Sequence, residues 1–125
     1  FGDILLRMKR FVILLLLLPT SICFAGVSFT LGATQWAVPK SGETVRTMPV
    51  LVSVMRELRV NPGSHLLVRY PGGDEGTLWA HELRGWLVSL GLASRRIELQ
   101  QGSASGAAIE LTVLPPRERD VRATQ

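Results

Sequence analysis

A chain of 125 residues, 46% of them hydrophobic, is the size of one domain with one core. It carries 14 Lys and Arg against 10 Asp and Glu, a formal net charge of +4, and a single cysteine. One cysteine excludes an intrachain disulfide and a thiolate zinc cluster, so stability must come from packing.

The N-terminus reads as a leader rather than as part of the fold. Met8-Lys9-Arg10 is basic, Phe11 to Leu18 is an unbroken apolar run, and Pro19 to Ala25 is small or polar. This is the layout of a secretory signal peptide over residues 8–25, cleaved between Ala25 and Gly26, with residues 1–7 an upstream mis-start before the initiator Met8. The apolar run is too short to span a bilayer, so no membrane span is expected after cleavage. Lipidation at Cys23 is disfavoured because Ile22 stands where a small residue is needed. Removing Asp3, Arg7, Lys9 and Arg10 with the leader leaves 11 basic and 9 acidic residues, a net charge of +2, and no cysteine. A nucleic-acid partner then loses its electrostatic support. Arg69, Arg84, Arg95 and Arg96 are interleaved with Asp74, Glu75, Glu82 and Glu98, the mixture of an ordinary solvated surface.

From Gly26 the pattern becomes two-fold. Val27, Phe29 and Leu31 alternate with Ser28 and Thr30, predicting a strand that Trp36 and Val38 continue or cap. Pro39 to Gly42 breaks it. Val45, Met48, Val52, Met55 and Leu58 recur at spacings of three and four, which predicts a helix with these residues as its core stripe. Pro49 leaves the helix start open, and Val50, Val52 and Val54 leave a strand reading open. Asn61-Pro62-Gly63 ends the element. Leu66, Val68 and Tyr70 predict a second strand. Trp79, Leu83, Trp86, Leu87 and Leu90 predict a second helix, with Gly91 at its C′ position. A third strand is expected around Ile97 and Leu99 and a fourth around Ile109, Leu111 and Val113. Pro115-Pro116 closes the fold, and residues 115–125 read as a charged, disordered tail. The expected architecture over residues 26–114 is an α/β (α+β) two-layer sandwich in β-α-β-α-β-β order, with two helices on one face of a mixed sheet.

The stretches LRVNPGSHLLVRYPGG, WLVSLGLASRRIELQQG and IELTVL, in this order, resemble the C-terminal domain of outer-membrane protein A, the OmpA-like peptidoglycan-associating family. The resembling pieces are Leu58 to Pro62, Leu66 to Tyr70, Pro71 to Gly76, Leu78 to Gly91, Arg96 to Leu99 and Ile109 to Leu114, and VSFTLGATQW is similar to the family's first strand. The resemblance implies a two-layer fold, a periplasmic location and a ligand in the peptide stem of peptidoglycan, held by an aspartate and an arginine. Asp74 falls near the place of the aspartate. The place of the arginine, counted back from Gly91, holds Trp79, and a paired-arginine signature before the last strand is replaced by Gly106-Ala107-Ala108. An altered ligand site is therefore expected.

The residues themselves exclude several chemistries. The turn PGGDEG before a helix could cradle an anion, but Asp74 and Glu75 would repel a phosphate, and no Walker or dinucleotide pattern follows the strand. Asp74 is expected as the helix N-cap. His65 and His81 lack the spacing of a zinc helix, so no metal or other cofactor is expected. No nucleophile elbow surrounds any serine, and no second carboxylate is fixed opposite Asp74, so no catalytic residue is assigned. Trp79 and Trp86 fall on the helical core stripe, whereas Trp36, near a strand end before a proline, is a candidate partner contact. The expected ligand contacts are Asp74, Arg69 and Arg84. The expected role is a non-catalytic periplasmic envelope module binding peptidoglycan or an envelope protein complex. Alternatives are an accessory subunit of an envelope-spanning secretion or conjugation apparatus and a cell-wall hydrolase.

Overall fold

The computed structural model describes residues 26–38, 40–103, 106–117 and 122. The stretches expected as mis-start and signal peptide, and most of the stretch expected as tail, lie outside these residues.

Strand β1 (Val27–Gly32) keeps the expected alternation, with Leu31 buried and Phe29 packed against the core. It does not run on to Trp36. The chain turns into a one-turn helix α1 (Ala33–Trp36), where Ala33 N donates to Ala107 O at 2.9 Å and Gly32 N to Gln35 Oε1 at 3.2 Å. Helix α2 (Gly42–Thr47) starts at Ser41, whose hydroxyl accepts from Thr44 N at 3.2 Å.

The expected first long helix is two helices. Met48 is extended (φ −63°, ψ 119°) because the ring of the following proline crowds a helical conformation there, and Pro49 then opens α3 (Pro49–Val60) at its first position, where no amide is needed. The break shifts the phase of the stripe. Leu51, Val54 and Leu58 are the buried residues of α3, while Val52 is exposed and Met55 half-buried, so the stripe through Val52 and Met55 is corrected by about one residue. Counting a period across a break in the helix carries the wrong phase into the next helix.

Strand β2 (His65–Tyr70) leads through the glycine turn to α4 (Asp74–Ser89). Gly76, Ala80, Leu83 and Leu87 form the buried face of α4, flanked by half-buried Trp79, Trp86 and Leu90. Gly91, at φ 106°, terminates it as expected for a C′ glycine. A 3₁₀ turn (Ser94–Arg96) precedes β3 (Ile97–Gln101), and β4 (Ala108–Leu114) completes the sheet.

The sheet order is β1-β4-β2-β3, with β4 antiparallel to both β1 and β2, and β2 parallel to β3. The parallel pair requires a crossover, which α4 supplies. Register aligns Phe29, Leu111, Val68 and Leu99 in one row across the sheet and Val113, Leu66 and Ile97 in the next. These rows face the helices and form one core with Leu31, Trp36, Val45, Leu51, Val54, Leu58, Leu83 and Leu87. Each fully buried leucine contributes roughly 1.5–3 kcal/mol relative to exposure. The opposite rows are mostly polar, Thr30–Glu110–Arg69–Gln100 and Ser28–Thr112–Leu67–Glu98, with Ser28 and Thr112 hydroxyls 3.3 Å apart. The molecule is thus the expected two-layer α/β sandwich, with helices on one face of a four-stranded mixed sheet. No helix among the described residues is long and apolar enough to cross a membrane.

Candidate functional site

The corner between β2 and α4 is where the two parallel strands end together and a helix begins. Ligands of open α/β sheets commonly lie at such carboxyl-terminal strand ends. Two glycines shape it. Gly73 has φ 95°, a conformation that glycine adopts without strain. A Cβ on Gly76 would collide with the buried backbone of Pro71, so the first turn of α4 approaches the loop too closely for any other residue. The loop after β3 lies alongside. Gly102 N and Ser103 N both donate to Tyr70 O, at 2.9 and 3.2 Å, and the Gln101 side-chain amide lies against Gly72.

Asp74 is not the N-cap. Gly73 occupies that position, Thr77 donates to Gly73 O from both its amide (3.1 Å) and its hydroxyl (2.8 Å), and Asp74 has already entered the helix. Gly73 can take the non-helical cap conformation on its own, so the cap shifts by one residue. Exposed Asp74 and Glu75 instead meet the positive end of the helix dipole, worth about 0.3–1 kcal/mol each.

Arg69 projects from the polar face of the sheet. Its Nη2 donates to Gly102 O at 2.7 Å and its Nη1 lies 3.7 Å from Glu110 Oε2, so its guanidinium braces the loop after β3 against the sheet. Arg69 therefore shares an end of the molecule with Asp74, but on the other side of the sheet from the helices. Arg84 is ten residues further along α4, about 15 Å from Asp74 at 1.5 Å per residue, and makes no ion pair with a described residue. Asp74 and Arg69 thus lie at the same end of the molecule on opposite sides of the sheet, Arg69 engaged by Gly102 and Glu110, and Arg84 lies apart from both.

Trp36 is corrected as a partner contact. It is 1% exposed, buried by the turn into α1 that sequence alternation does not show. Lys40 Nζ sits 4.2 Å from its ring centroid and 3.4 Å from Glu82 Oε1, covering the indole and linking it to α4. The indole Nε1 has no hydrogen-bond partner among the described residues. His81 is exposed and His65 is buried at the start of β2. Among the described residues no group of three or more His, Cys, Asp or Glu could hold a metal.

Two further features escape a reading by stretches. Arg96 reaches across to the end of α3: its Nε donates to Ser64 O (2.8 Å), and its Nη2 to Leu58 O (2.8 Å), Asn61 O (3.2 Å) and Ser64 Oγ (3.3 Å). Burial, and then the neighbouring charge of Arg95, lowers its pKa, but an arginine so placed stays charged. It satisfies orphan carbonyls at a helix C-terminus with a cation, as the dipole favours. The second is a cleft of about 290 Å³ on the helical layer, with Val45, Leu51, Met55 and Leu90 forming its apolar wall and Arg46, Arg56 and Arg59 its rim. Its sequence signal was the spacing Val52, Arg56, Arg59, one stripe beside the true core stripe of α3. In comparisons with known protein families, with curated proteins and with solved structures, the chain matches none.

Proposed function

We propose that this protein is an exported, periplasmic, OmpA-like module of the cell envelope that binds peptidoglycan at the corner around Asp74 and carries out no catalysis. The observation that carries this reading is the Arg96 fork. It ties the Arg96-Ile97 strand start to the Leu58-to-Pro62 helix end, so two stretches that resemble the family, far apart in sequence, act on each other as one structural device. The resembling stretches also fall on element ends: Asn61-Pro62 after α3, the glycine corner before α4, and Gly91 after it.

The ligand site of this proposal is narrower than the sequence suggests. Asp74 is its exposed acid, offered to an ammonium or amide group of the peptide stem. Arg69 supports the adjoining loop, and Arg84 stands outside reach of the same group. With Trp79 in place of an arginine, half-buried against the core, the site lacks a guanidinium clamp for a stem carboxylate, and binding is correspondingly weak.

Co-sedimentation of the purified protein with peptidoglycan sacculi tests the proposal. The wild-type protein pellets with sacculi, Asp74→Ala lowers the bound fraction at least several-fold, and Arg84→Ala leaves it nearly unchanged. Failure of the wild-type protein to pellet, or equal pelleting of Asp74→Ala, would overturn the site. Release of soluble muropeptides would overturn the non-catalytic assignment.

A further inference from the structure

The cleft on the helical layer lies at the far end of α4 from the Asp74 corner, about 24 Å away along the helix, so the cell-wall proposal makes no use of it. Arg46 lies in the last turn of α2, while Arg56 and Arg59 lie three residues apart on α3. All three are exposed, none is ion-paired with a described residue, and no acidic side chain lines the cleft. Helix dipoles account for Arg46 and Arg59, which sit in last turns, but not for Arg56 in the middle of α3. Beneath the guanidinium groups the wall is apolar, with Val45 and Leu51 fully buried and Met55 and Leu90 half-exposed.

Such a site asks for a ligand that is both apolar and anionic. A flat anionic membrane fits poorly, because bilayer insertion needs a broad apolar face standing out beyond the basic side chains, and here Val52 is the exposed apolar residue of the lining while Val45 and Leu51 are buried. A phosphate backbone would use the arginines and leave the apolar floor without a partner. A volume of about 290 Å³ accepts one large side chain. We infer that this cleft docks an acidic segment of a partner protein, one large apolar side chain entering between Leu51, Met55 and Leu90 while flanking carboxylates pair with Arg46, Arg56 and Arg59.

The test is fluorescence anisotropy of the full chain against an array of synthetic peptides, each with a central Leu, Met, Phe or Trp flanked by Asp and Glu. At least one member binds, added salt weakens it, and replacing its anchor by Ser abolishes it. Arg56→Glu and Arg59→Glu each reduce affinity about tenfold or more, Met55→Asp removes binding, and Asp74→Ala leaves it unchanged. Because Arg56 and Arg59 are exposed, circular dichroism and the thermal midpoint stay at wild-type values, separating lost binding from lost fold. No binding by any member, or binding insensitive to Arg56→Glu and Arg59→Glu, overturns the inference. So does stronger Arg56-dependent binding to phosphatidylglycerol vesicles or to a single-stranded oligonucleotide than to any peptide.

Discussion

Three residues carry the sharpest physical claims. Gly76 is fixed by the backbone of Pro71, a neighbour that cannot rotate away. Alanine is the better helix former by about 1 kcal/mol, yet the collision outweighs that gain. Gly76→Ala is expected to lose roughly 2 kcal/mol or more in urea unfolding, whereas a gain in stability would show that the corner is looser than described. Trp36 gives a graded prediction. Its indole N–H is buried without a partner among the described residues, so Trp36→Phe sacrifices little, while Trp36→Ala opens a cavity costing about 3–5 kcal/mol. At Arg96 four hydrogen bonds depend on one forked cation. Arg96→Ala should cost about 2–4 kcal/mol, and Arg96→Lys should recover less than half, since an ammonium cannot reproduce the fork. Equal stability of the lysine and arginine proteins would reduce Arg96 to a point charge.

Among the elements, strands were the most legible. Alternation of Phe29 and Leu31 and of Ile109, Leu111 and Val113 named the core faces of β1 and β4 correctly, because a period of two leaves no room for phase error over five residues, while Val27 at the start of β1 is exposed. Helix α4 was legible from its apolar stripe, Trp79 to Leu90, and from Gly91, and its start was expected one residue late, because Gly73 took the cap position expected of Asp74. Helix α3 was recognised with a rotated stripe because the restriction of Met48 before Pro49 resets the chain. The correction is measurable. Leu58→Ala and Val54→Ala should each lower stability, by about 2–5 and 1–3 kcal/mol, while Val52→Ala stays within about 0.5 kcal/mol. The reverse ranking would restore the stripe read from sequence. Long-range contacts were not legible at all. Lys40 over Trp36 and Arg96 at the end of α3 join residues whose meeting depends on the sheet order, which no local pattern encodes.

For the molecule as a whole, four strands in the order β1-β4-β2-β3 place two distinct features at opposite ends of α4. One end is a tight acidic corner backed by Arg69 and Gln101; the other is the arginine-rimmed cleft. This polarity is what the two proposals together require, one ligand at each end. The proposed export is tested at this scale too: if the expected leader is cleaved, N-terminal sequencing of the protein recovered from cells begins at Gly26, and a start upstream of Phe11 would contradict the proposal. The central claim, that the Asp74 corner recognises the peptidoglycan stem, is tested most directly by titrating the isotopically labelled protein with soluble muropeptide and following backbone amide signals. Shifts should cluster at Gly72 to Thr77 and Gln101 to Ser103, with Arg46, Arg56 and Arg59 unmoved and the response lost in Asp74→Ala. Silence at the corner with saturating muropeptide, or shifts confined to the cleft, would contradict it.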